Sequence, residues 1–91
     1  MKINVKMTVQ GVVQGVGFRY FAMRKAAMFQ VFGFVQNLDN GDVYIEAEGE
    51  EGLVNDFVRE IQIGPMFGTV TNVIKNRSEK LVGYHRFEVR F

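Results

Sequence analysis

The chain has 91 residues, 47% of them apolar, with one histidine, no cysteine and a formal net charge of +1. That length supports one packed core, so residues 1–91 are expected to form a single domain. The composition excludes disulfides, thiol nucleophiles, thiolate metal centres and multi-histidine metal sites. Near-neutral charge with interspersed signs argues against nucleic-acid binding. The N-terminus alternates charged and apolar residues, unlike a signal peptide, and no apolar run is long enough for a bilayer. A soluble, cytoplasmic monomer with no membrane, metal or cofactor role is the expectation.

Ile3, Val5, Met7 and Val9 alternate with Asn4, Lys6, Thr8 and Gln10, which predicts a half-buried first strand. A loop carrying Gly11, Gly15 and Gly17 follows and ends on Arg19. Phe18, Ala22, Ala26 and Phe29 then recur at helical steps, with Phe21 and Met28 beside them and Arg24 and Lys25 opposite. Residues 31–38 read as a second strand. Asn37 to Asp42 is a dense turn signal in which Asn40-Gly41 suits a tight hairpin with positive φ at both positions. Val43, Ile45 and Ala47 alternate with Tyr44, Glu46 and Glu48 as a third strand. Glu46, Glu48, Glu50 and Glu51 read as a solvated acidic face. Leu53, Val54, Phe57, Val58 and Ile61 follow helical spacing, with Glu50 and Glu51 at the favourable end of the dipole. Gly64-Pro65 stops that helix. Residues 70–75 form a fourth strand, and Phe87, Val89 and Phe91 mark a short closing one. The aromatic and methionine side chains at Phe21, Met23, Met28, Phe29 and Phe57 are expected to be mostly core or packing residues.

Strand, helix, strand, strand, helix, strand, with a terminal extra, predicts an α+β fold. Its natural form is a ferredoxin-like βαββαβ sandwich: an antiparallel sheet with both helices on one face and a short C-terminal strand added. In that arrangement the first and third strands are central, and the first and second run the same way about 10 Å apart. The end of the first strand, the glycine loop, the first helix's N-terminus and Asn37 then share one edge.

Glycines let a loop curl so that several backbone N–H groups point at one place. An arginine adds a planar fork of donors suited to phosphate oxygens, and the helix start adds the positive end of a dipole. Gln14, Gly15, Val16, Gly17, Phe18 and Arg19 therefore form a candidate phosphate loop. Against this stand plainer readings: Arg19 as a surface cation, Asn37 as a turn-former, and Gly33 as a packing or bulge residue. His85 reads as a strand-flanking residue without a catalytic role.

Val13-Gln14-Gly15-Val16-Gly17-Phe18-Arg19 after a strand, and Gly33-Phe34-Val35-Gln36-Asn37 before a glycine hairpin, together resemble the two signatures of the acylphosphatase family. The resemblance covers essentially the whole chain and includes Gly64-Pro65 after the second helix. It implies hydrolysis of carboxyl phosphates to a carboxylate and inorganic phosphate, with no metal or cofactor. It also implies that Arg19 binds the phosphoryl group and that Asn37 positions the attacking water. Gln30 departs from the glycine common in that family after the first helix.

Two other classes of function compete. Phe32-Gly33-Phe34-Val35 resembles the aromatic core of an RNA-recognition motif, but its flanking Gln30 and Asn37 are wrong for that motif and it falls on the second strand rather than the third. A catalytically idle interaction domain is the remaining reading.

Overall fold

The computed structural model describes residues 1–91. Five strands and two helices follow in the order β1 (Lys2–Val12), α1 (Phe18–Phe29), β2 (Phe32–Asn37), β3 (Val43–Glu50), α2 (Glu51–Ile63), β4 (Thr69–Ser78) and β5 (Phe87–Arg90). They form one sheet in the order β4-β1-β3-β2-β5, so β1 and β3 are central and β3 separates β1 from β2. The four main strands pair antiparallel, as the α+β reading requires. The added strand differs: β5 runs parallel to β2, with Gln36 opposite Arg90, so the sheet is mixed.

The core lies between the sheet and the helices. Ile3, Val5, Met7 and Val9 of β1 are buried against Phe18, Phe21, Ala22 and Ala26 of α1 and Val54, Phe57, Val58 and Ile61 of α2. These positions are the apolar alternation of the strands and the three- and four-residue steps of the helices, so pattern alone builds the sandwich. Met28 is a correction: it is exposed on α1 rather than in the core. The hairpin also differs from expectation. Leu38 N–H donates to the Asp42 carbonyl, closing a loop of residues 39–41, and Gly41 takes positive φ while Asn40 does not. Asn40 instead accepts the Asp42 N–H at its side-chain oxygen.

The largest correction concerns Glu46 and Glu48. They are not solvated; they are 6% and 5% exposed on the sheet face away from the helices. Asn4 Nδ2 donates to both carboxylates, at 3.2 and 2.7 Å. The N–H groups of Val82, Gly83 and Tyr84 donate to Glu48, and the Tyr84 hydroxyl donates to Glu46 at 2.6 Å. A buried carboxylate is tolerated only with such donors, and here the chain between β4 and β5 supplies them. Alternation placed these glutamates on the polar face correctly, but nothing local signalled that residues 81–84 cover it.

Burial opposes ionisation of Glu48, yet the Val82, Asn4, Gly83 and Tyr84 donors outweigh it and hold the carboxyl below the usual range. Burial, followed by the bond to Glu46 and its charge, raises the Tyr84 phenol, keeping its proton on the shared bond. Because the folded Glu48 value lies below the unfolded one, its stabilising contribution is complete above the unfolded value and disappears as pH falls through the folded one. Stability should therefore decline as pH drops below about 4.3, and Glu48→Gln should flatten that decline. Urea unfolding across an acid pH series checks both.

Gln30 is the one non-glycine residue with positive φ, at φ 56° and ψ 43°. Its N–H donates back to the Ala27 carbonyl while the Val31 N–H reaches Ala26, ending α1 in a left-handed turn. The Cβ makes that conformation unfavourable. Gln30→Gly is expected to raise stability by up to ~1 kcal/mol once glycine's greater unfolded-chain freedom is subtracted. Thermal melting would register about 4–8 °C for the full amount.

Candidate active site

The site begins with a backbone collision avoided. β1 slips register at Gln10/Gly11 against β4, and a Cβ on Gly11 would sit 2.0 Å from the Thr69 carbonyl oxygen. This bulge breaks the register just before β1 ends at Val12 and redirects the chain. Val13 is buried and pins the redirected segment to the core. Gly15 and Gly17 then both take φ 75°, although a Cβ on either would meet nothing within 4 Å. Their requirement is conformational rather than spatial.

Gly17 is also the N-cap of α1, with no side-chain cap bond and no acidic residue in the first turn. The first N–H groups of the helix, normally satisfied by a capping oxygen, are left as donors beside an uncompensated dipole. This is the electrostatic character of an anion site.

Gln14 holds the loop in place. Its side-chain amide donates to the carbonyls of Leu38 and Asp42, each at 2.8 Å, which ties the loop to the β2–β3 hairpin. Asn37 closes β2 opposite Val43, immediately before that hairpin. Its carboxamide is half-buried, and its Oδ1 is enclosed without a donor from the protein. Of the two buried side-chain oxygens without a partner, Asn37 Oδ1 is the one on this cavity; the other belongs to Asn4.

Arg19, one residue into α1, has no carboxylate partner among the ion pairs of the structure. Its guanidinium donates to the Arg90 carbonyl at 3.4 Å and lies 4.5 Å from the centre of the Phe91 ring. A neutral carbonyl and an aromatic face steady the group without neutralising it.

One cavity of about 420 Å³ joins these parts. Gly15, Gly17, Arg19 and Asn37 line it together with apolar groups that include Phe18, Val89 and Phe91. Gln14 and Val16 do not line it: Gln14 braces the hairpin, and Val16 packs against the core. A larger groove of about 630 Å³ lies toward the opposite end of the sheet, around Gln30, Phe32, Leu53 and Phe87. It contains neither Arg19 nor Asn37, and the smaller cavity is where the donors converge.

His85 is exposed and lies outside the Arg19 cavity. Phe34, the centre of the RNA-motif-like segment, is 7% exposed and covered by Tyr84 and by the Arg90 guanidinium, so it is no open stacking platform. No three acidic or histidine side chains converge as metal ligands, and no helix is long and apolar enough to cross a membrane. The contribution of Val89, Arg90 and Phe91 was missed from sequence. It follows from the parallel pairing of β5 with β2, which delivers the C-terminus to the edge that carries Asn37.

Gln14→Ala removes both bonds to the hairpin, while the two carbonyls keep their backbone donors, Gly41 N–H on Leu38 and Leu38 N–H on Asp42. The expected loss is about 1–3 kcal/mol of stability, measured by chemical denaturation.

The acylphosphatase family model matches residues 5–89. An acylphosphatase from Thermotoga maritima is 42% identical over 87 residues, covering 96% of each chain. The crystal structure of acylphosphatase from Bacillus subtilis superposes with a TM-score of 0.95 at 39% identity, covering 98% of this chain and 99% of that one. A full-length HypF crystal structure contains a similar region: TM-score 0.87 at 29% identity, with all of this chain matching 12% of HypF.

Proposed function

The chain belongs to the acylphosphatase family, enzymes of acyl phosphate hydrolysis, and from that premise we propose how its own residues carry the reaction. Residues 1–91 act as one domain and as a monomer. The phosphoryl group of a small carboxyl phosphate binds to the loop amides between Gly15 and Arg19 and to the Arg19 guanidinium. Asn37 holds a water in line with the scissile bond. The observation that carries this reading is that Arg19, the loop glycines and Asn37 line one cavity.

The water oxygen forms a bond to phosphorus as the phosphorus–oxygen bond to the acyl group breaks, its electron pair leaving on the carboxylate. Carboxyl groups ionise near pH 4, so this leaving group departs without prior protonation. Charge in the loose transition state spreads over the equatorial phosphoryl oxygens. Arg19 and the preset N–H groups stabilise it there. Asn37 is neutral and acts by orientation: its amide accepts from and donates to the water. The proton released by the water passes to the phosphate, so no side chain has to titrate near neutrality.

Arg19→Ala is expected to lower kcat/KM for acetyl phosphate by about 10²-fold or more, with weaker phosphate inhibition. Asn37→Ala should reduce kcat about tenfold or more while KM changes little. Release of inorganic phosphate measures both. Near-normal turnover in the Asn37 variant would remove it from the mechanism. A phosphate monoester, with its poorer leaving group, should be a far worse substrate.

A further inference from the structure

We propose that Glu48, together with Tyr84, is a positioning residue for Arg19, acting through the residue 82–84 loop and β5. The inference rests on the reading of Arg19 as the phosphate-binding group. Glu48 lies near the end of β3 remote from the Arg19 cavity and lines no part of it.

β5 is four residues long and pairs with β2 on one side only. So short an edge strand depends on what holds its two ends. At the upstream end, Glu48 takes three successive backbone N–H groups from Val82, Gly83 and Tyr84, and the Tyr84 hydroxyl is bound by Glu46. At the downstream end, the Arg90 carbonyl and the Phe91 ring hold the Arg19 guanidinium.

One ring links the two ends. Phe34 of β2 meets Tyr84 edge-on at 6.1 Å and carries the Arg90 guanidinium 3.8 Å above its centre. Releasing the loop from Glu48 frees Tyr84, uncovers Phe34 and loosens the seat of Arg90. The carbonyl that orients Arg19 belongs to that same residue. Phe91 itself is 93% exposed, so no packing downstream of Arg90 restores the position.

The test combines Glu48→Gln, Tyr84→Phe and Phe91→Ala, which keeps the Arg90 carbonyl a neutral amide, each confirmed folded by thermal melting. The readouts are inorganic phosphate affinity by calorimetry, kcat and KM for acetyl phosphate, and the NMR signal of the Arg19 Nε–H. Glu48→Gln should weaken phosphate binding and raise KM about fivefold, and Tyr84→Phe about twofold. Both should shift or broaden the Arg19 signal. Phe91→Ala should shrink the effect of Glu48→Gln, a non-additivity that a general loss of stability would not produce.

A folded Glu48→Gln protein with wild-type phosphate affinity and an unchanged Arg19 signal overturns the proposal. Full additivity with Phe91→Ala also overturns it. If Glu48→Gln does not fold, Tyr84→Phe is judged by the same criteria. If the wild type fails to turn over acetyl phosphate while the Arg19 signal still follows Glu48, the positioning stands and the catalytic reading falls.

Discussion

A single side-chain amide joins the two halves of the site. Gln14 spans from the glycine loop to the Leu38 and Asp42 carbonyls, and the spacing it bridges is set by topology. β1 and β2 run in the same direction with β3 between them, so the arginine side and the asparagine side arrive at one edge a strand's width apart. Neither strand can approach the other without expelling β3. The gap is therefore built into the sheet, and the loop has to reach into it without collapsing. The bulge at Gly11 turns the chain toward the gap, Val13 pins it, and Gln14 fixes its height against the hairpin.

On this frame the site is made mostly of backbone. Gly15 and Gly17 supply curvature, and α1 supplies N–H groups that no side chain caps. Arg19 adds the only guanidinium lining the cavity, steadied by a carbonyl and a ring rather than by an acid. An acidic partner would neutralise the charge that the proposed mechanism sets against the phosphoryl group. The chain keeps its buried carboxylates on the other face of the sheet, where Asn4 and the loop before β5 absorb them.

Much of this was legible from residues alone. Alternation in β1 and β3, helical steps in α1 and α2 and the Gly64-Pro65 stop fall where the structure has them, because each is a local consequence of burying one face. The convergence of Arg19 and Asn37 was legible because strand order constrains it. Three features were not. The hairpin uses Gly41 alone, since a loop of residues 39–41 places one residue at positive φ where a two-residue turn needs two. Glu46 and Glu48 read as solvated because the segment that buries them is far away in sequence. The parallel direction of β5 has no local signature, and with it the approach of Phe91 to Arg19 was hidden.

The bare start of α1 has one more effect. A helix start with no capping side chain and no acid in its first turn forgoes the stabilisation that either would give. Any oxyanion that settles there joins only the native chain, so by mass action it protects that chain against unfolding. On the proposed mechanism, the same attraction does not distinguish the substrate's phosphoryl group from the phosphate left after cleavage. Tenacity toward the spent phosphate is then what that mechanism entails for a pocket whose cation has no acidic partner.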